Sequence, residues 1–178
     1  MEIRCVAAVS YTLTPLSKQT FHRQHLLHCE ILSVIAQCYV FFRHSAENTA
    51  DLSKHQITHI LNAAHSKCEG QPGIYRGKEI TYMGIEAHDS CGFDMSVNFL
   101  AAAVFIHRAL SRGGKVLVHC HVGLSRSATL VLAYLMLRQN LTLVGAICAV
   151  KDKHGVRPNR GFLRQLIKLD GQLFDTHP

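Results

Sequence analysis

Residues 116–137 read VLVHCHVGLSRSATLVLAYLML. The first three positions, Val116 to Val118, are an apolar and largely β-branched run that, with His119, is of the kind found in a strand buried on both faces. From Ser127 the segment is apolar all round, which suits a helix that has no solvent face at all. Only a short loop separates the two. A chain holding both elements must stack further layers on each, and with the strands and helical stretches that alternate along the rest of the chain this indicates an α/β fold with a mostly parallel central sheet flanked by helices.

The rest of the chain supplies such layers. Residues 57–61 (ITHIL) and 80–85 (ITYMGI) read as strands, and 66–76, with Gly70, Pro72 and Gly73, as a loop. Asp94 or Ser96 can cap a helix running to about Ser111, ended by Gly113-Gly114. Its expected apolar face is Val97, Leu100 and Val104, with Ala103, Ile106 and Leu110 beside it. Thr142 caps a further helix reaching about Lys153, in which Gly145 costs about 1 kcal/mol relative to Ala. Asn159 caps the last helix, which carries Phe162, Leu163, Leu166 and Leu169. Residues 1–44 are poorly patterned and are expected to be disordered or atypical, with Tyr39 to Phe42 available as a strand at a sheet edge. Residues 45–178 form the orderly domain.

Composition limits the function classes. With 48% hydrophobic and 17% charged residues the chain is globular in type. The formal net charge is +7, and between Arg108 and Lys168 eleven Lys or Arg face one acidic residue, Asp152. Such a half attracts anions: phosphate esters, acidic peptides, nucleic acid or anionic lipid. The seven cysteines are odd in number and hold no CxxC pair, so reduced thiols in the cytoplasm or nucleus are expected over a disulfide framework. The apolar stretch 31–42 is interrupted by Ser33 and Gln37 and falls short of the roughly 20 residues of a membrane span, so no membrane insertion is expected.

The loop between strand and helix carries the chemistry. A loop at a helix N-terminus gathers backbone N–H groups and the positive end of the helix dipole around one concavity, which favours an anion. Gly123 permits a tight turn. Arg126 offers a planar fork matched to two phosphate oxygens. The same positive field lowers the pKa of a thiol at the base of the concavity, where Cys120 stands.

HCHVGLSRS, residues 119–127, matches the HCxxGxxRS signature of cysteine-based protein phosphatases, and the surrounding sequence resembles the small atypical dual-specificity phosphatases. NAAH (62–65), GIEAHDS (84–90), SATLVLAYLM (127–136) and PNRGFLRQL (158–166) extend the likeness over about residues 45–175. The resemblance implies a cysteine-phosphatase type of fold, with the phosphate-binding loop (P-loop) between a central strand and a buried helix. It implies that Cys120 is the nucleophile forming a phosphocysteine, and that Arg126 and the backbone of His121, Val122, Gly123, Leu124 and Ser125 cradle the phosphate. The resemblance further implies that Ser127 helps expel the thiolate, that His119 orients the cysteine and depresses its pKa, and that Asn159 supports the loop. Asp89 takes the general acid/base position, with Asp94 as a rival.

No cofactor and no metal are implied. His119 and His121 flank the cysteine, but a structural metal site needs about four suitably spaced ligands. The substrates implied are phosphoproteins carrying phosphotyrosine and phosphoserine or phosphothreonine, with mitogen-activated protein kinases among the candidates. No nucleic-acid partner is expected, and the chain is expected to be a monomer or weak homodimer in the cytoplasm, the nucleus or both. Two other readings use the same loop: a non-catalytic phospho-binding scaffold, and a phosphoinositide or RNA 5′-phosphatase. Scaffolds of this type usually lack the Cys or the Arg, and lipid-directed relatives tend to carry lysines in the loop, which here holds Val122 and Leu124.

Overall fold

The computed structural model describes residues 38–41, 46–66, 72–75, 77–151 and 156–174. Its sheet has four strands, β1 (Cys38–Phe41), β2 (His59–Asn62), β3 (Thr81–Gly84) and β4 (Val116–His119), in the order β1-β4-β2-β3. Every pairing is parallel: His59 lies opposite both Val116 and Thr81, and Cys38 opposite Val116. The short run at Tyr39 is thus an edge strand. Expectations for residues 1–37 lie outside the described residues.

The helices are α1 (Thr49–Lys54), α2 (Phe99–Ser111), α3 (Arg126–Gln139), α4 (Leu143–Val150) and α5 (Arg160–Phe174). Alternation along the central strands divides the core into two layers. Leu61, Val116 and Val118 face the larger cluster with α2, α3 and α5, while Ile60 and Leu117 face a smaller one with Leu52 and Tyr75. Helix α3 is the pivot of the larger layer. Every residue from Arg126 to Met136 is buried, as its all-round apolar sequence demands.

Thr142 and Asn159 cap α4 and α5, accepting from the amides of Gly145 at 3.2 Å and Phe162 at 3.0 Å. The buried stripe of α2 differs from the one expected. Residues Ser96–Asn98 form a 3₁₀ turn, so Val97 precedes the α-helix, and Val97 and Leu100 are 72% and 62% exposed. The buried positions are Phe99, Ala102, Ala103, Ile106 and Ala109. Ala103 and Ile106 are buried as expected, but spacing counted from Val97 misplaces the centre of the face, because the 3₁₀ turn shifts the helical phase and small alanines meet α3. No single helix among the described residues is long and apolar enough to cross a membrane.

Gly161, in the first turn of α5, lies against the backbone of Cys91. A Cβ there would overlap the Cys91 carbonyl oxygen and come within 2.7 Å of its carbonyl carbon. Backbone cannot swing away as a flexible side chain can. Gly161→Ala is therefore expected to destabilise the protein by about 1–3 kcal/mol, outweighing the gain in helix propensity of up to about 1 kcal/mol. Gly92→Ala, on the same loop but with no atom within 4 Å of the new methyl, should change stability by less than about 0.5 kcal/mol. Urea unfolding of both variants measures the contrast.

Candidate active site

Strands β2, β3 and β4 are parallel and in register, so the segments leaving their C-terminal ends gather at one edge of the sheet. That edge is where open α/β sheets hold ligands. It brings together residues 62–66, 85–89 and 119–126. Ala63 N donates to His119 O at 2.7 Å, and Ile85 N to Asn62 O at 2.8 Å, tying the three segments together. Asn62 Nδ2 donates to the Tyr82 hydroxyl at 3.0 Å, and His65 Nδ1 lies 3.0 Å from the same oxygen. Burial pushes the Tyr82 phenol up, against the opposing effect of Asn62, so it stays a neutral hydroxyl.

Cys120 follows β4 directly and is 2% exposed. Its Sγ accepts from Gly123 N at 3.2 Å and lies 3.3 Å from Ser127 Oγ. Gly123 has φ +72°, a conformation any side chain would strain, and that turn is what directs its amide at the sulfur. Burial pushes the thiol up. The Ser127 hydroxyl and amide, the Gly123 amide and the Arg126 charge outweigh it and hold the thiol below its ordinary pKa.

Arg126 is the first residue of α3 and is 9% exposed. Its Nη1 donates to Ala87 O at 3.1 Å, and its Nε is 3.8 Å from Asp89 Oδ2. The guanidinium borders a cavity of about 230 Å³, which His65, Glu86, His88 and His121 also line. His119 is buried, with Nδ1 3.4 Å from Cys120 O. His121 and Val122 are exposed at the rim, and Leu124 is half-buried, its carbonyl accepting from Arg157 N at 2.8 Å.

Ser125 and Asp89 meet. The Ser125 hydroxyl donates to Asp89 Oδ1 at 2.7 Å and accepts from Asn159 N at 3.2 Å, while Asn159 Nδ2 donates to the same Oδ1 at 2.8 Å. Asp94 is elsewhere. Its Oδ1 accepts from Ser96 N at 3.0 Å, before α2, and the cavity it lines is a different one, bordered by Gln165 and Lys168. The geometry thus separates the two rival acids, with Asp89 at the loop. The arrangement sets a thiol held below its ordinary pKa, a guanidinium and a carboxyl group at one loop. No group of three or more His, Cys, Asp or Glu among the described residues is placed to hold a metal ion.

Several site residues were not singled out from sequence. Ala87 enters only through its backbone carbonyl, and Tyr82 reads as an ordinary strand residue. Gln165 has no chemistry that marks it, and its contacts lie about seventy positions away.

The dual specificity phosphatase catalytic-domain family model matches residues 38–172. Bovine dual specificity protein phosphatase 26 is 64% identical over 129 residues, which are 72% of this chain and 61% of that protein. Human dual specificity protein phosphatase 13B is 44% identical over 165 residues, 91% of this chain and 83% of that protein. The crystal structure of DUSP15 aligns with a TM-score of 0.66 at 30% identity, covering 82% of this chain and 95% of that one. The chain spans 61% of the length of the bovine relative.

The lowered pKa of Cys120 has a readable consequence. The thiolate is present above the lowered pKa and is lost as pH falls through it. Ser127→Ala removes the hydroxyl that favours the anion while leaving burial in place, so the pKa should rise. The pH dependence of Cys120 alkylation by iodoacetamide should accordingly move to higher pH than in the wild type. An unmoved profile would show that the hydroxyl does not stabilise the thiolate.

Proposed function

Because the chain belongs to the dual specificity phosphatase catalytic-domain family, we propose that it is a protein phosphatase that hydrolyses phosphotyrosine and phosphoserine or phosphothreonine at Cys120. The observation carrying this reading is the buried Cys120 sulfur, held below its ordinary pKa by Ser127, Gly123 and Arg126, with Asp89 at the same loop.

In the first step Cys120 Sγ attacks phosphorus, the bond from phosphorus to the Tyr, Ser or Thr oxygen breaks, and that oxygen takes a proton from Asp89. Arg126 pairs with the non-bridging oxygens and offsets the charge of the transferring group. In the second step Asp89 takes a proton from water, which attacks phosphorus. The P–S bond breaks, inorganic phosphate leaves, and Cys120 recovers its electron pair as thiolate, which Ser127 Oγ stabilises by donating across the 3.3 Å contact. The enzyme returns to its starting state without a redox change. A thiolate nucleophile survives under reducing conditions, which supports a role in the cytoplasm or nucleus. Phosphorylated protein kinases of the mitogen-activated type are candidate substrates.

Two sets of variants test the proposal. Cys120→Ser and Arg126→Ala should each reduce turnover of a phosphotyrosine peptide to below about 1% of wild type, since the first removes the nucleophile and the second the phosphate fork. Substantial activity in Cys120→Ser would falsify the mechanism. Asp89→Ala should slow a phosphotyrosine peptide by about 10²-fold or more, and an aryl phosphate with an acidic leaving group far less, because only the first needs a proton. Faster turnover of a phosphoinositide or a 5′-phosphorylated RNA than of phosphopeptides would instead move the substrate class away from proteins.

A further inference from the structure

Asp89 lies on a loop with little of its own to hold it. Beyond Ile85, which backbone bonds tie to Asn62 and His65, the backbone–backbone bonds of the loop up to Met95 are short-range turns, with Ser90 N donating to His88 O at 2.9 Å and Phe93 N to Ser90 O at 3.2 Å. Neither bond fixes where the carboxylate points. Helix α5 meets the loop at three levels. At its N-cap, Asn159 Nδ2 donates to Asp89 Oδ1. In its first turn, Gly161 lies flush with the Cys91 backbone. One turn further on, Gln165 uses both ends of its amide: Nε2 donates to Phe93 O at 2.8 Å, and Oε1 accepts from Met95 N at 2.8 Å and Ser96 N at 3.0 Å.

Both amide side chains have two jobs. Asn159 Oδ1 caps the helix through Phe162 N while its Nδ2 reaches the acid. Gln165 satisfies three backbone groups of the loop at once. Together with the Ser125 hydroxyl, Asn159 occupies Asp89 Oδ1 with two donors. Two donors on Oδ1 fix the rotation of the carboxyl group and so set the direction of Oδ2, the oxygen 3.8 Å from Arg126 Nε.

We propose that Asn159 and Gln165 are positioning residues for the general acid: α5 holds the Asp89 loop against the P-loop in the substrate-free protein, so that Oδ2 already faces the leaving-group oxygen. This rests on the reading of Asp89 as the general acid. α5 then acts on the proton-transfer part of the reaction, not on phosphate binding, which belongs to Cys120, Arg126 and the loop.

The test uses variants that keep each residue's acceptor and remove its donor. Asn159→Asp retains a good N-cap oxygen for Phe162 N and loses the donor to Asp89. Gln165→Glu retains the acceptor for Met95 N and Ser96 N and loses the donor to Phe93 O. For each full-length variant, kcat/KM is measured across a series of substituted phenyl phosphates and plotted against leaving-group pKa, beside wild type and Asp89→Ala. Orthovanadate affinity and thermal melting report the cradle and the fold. The expected result is a steeper dependence in both variants, between wild type and Asp89→Ala. The loss on the most basic leaving group should exceed that on the most acidic by about tenfold, a part of the 10²–10⁴ a general acid supplies. A wild-type slope in either variant, with Asp89→Ala steep, overturns that residue's assignment and leaves the phosphatase reading standing. Equal losses on every leaving group, with weakened vanadate binding or a lowered melting temperature, also overturn it, since a merely structural role predicts that pattern. A flat Asp89→Ala series removes the acid assignment itself, and the inference with it.

Discussion

Cys120 Sγ is buried, and burial by itself favours the neutral thiol; the Ser127 hydroxyl and amide, the Gly123 amide and the Arg126 charge act in the opposite sense and prevail. Hydrogen bonds to a charged group are worth about 1.5–3 kcal/mol each, so several converging donors can offset a desolvation cost of several kcal/mol for a buried ion. The balance holds only while the donors keep their geometry. Gly123 must stay in the left-handed region, and Ser127 and Arg126 must stay on the first turn of α3. That first turn belongs to a helix buried through eleven consecutive residues. Its rigidity in the close-packed interior is what keeps the donors at hydrogen-bonding distance from the sulfur.

The buried guanidinium of Arg126 makes a parallel demand. A buried cation is costly unless paired and hydrogen-bonded, and the partners come from another segment: the Ala87 carbonyl and the Asp89 carboxylate. The loop after β3 is therefore drawn to the P-loop by the charge it has to satisfy. The parallel register of β2, β3 and β4 makes this possible, because it delivers all three C-terminal ends to one edge. The C-terminal helix closes the arrangement. Arg157 N holds Leu124 O, Asn159 bridges Ser125 and Asp89, and Gln165 carries the far end of the loop. Three stretches distant in sequence thereby form one hydrogen-bonded unit.

The contrast between α3 and α2 shows what a linear pattern conveys. A run such as SATLVLAYLML has one physical solution, since no face of it tolerates water, and α3 is found where the run requires. In α2 the pattern admits more than one face. Spacing alone favours Val97 and Leu100, yet Ala102, Ala103 and Ala109 are buried, because close approach to α3 requires small residues and because the 3₁₀ turn at Ser96 changes the helical phase. That choice depends on the neighbour's surface, which no local window contains.

The candidate site divides in the same way. Cys120, Gly123, Arg126 and Ser127 lie within eight residues, and the strand, loop and helix joining them set their relation by local geometry alone. This much follows from the order of residues, as does the parallel α/β architecture. The position of Asp89, by contrast, is a long-range matter. Asp89 and Asp94 are both exposed loop acids in sequence, five residues apart, and the hydrogen bonds that distinguish them come from Ser125 and from Asn159, seventy positions downstream. Gln165 carries no mark of its task, because an amide becomes a clamp only when the groups it pairs are brought to it. Local sterics and hydrophobic periodicity are written along the chain. Hydrogen bonds between distant segments exist only once packing has set the distances between them.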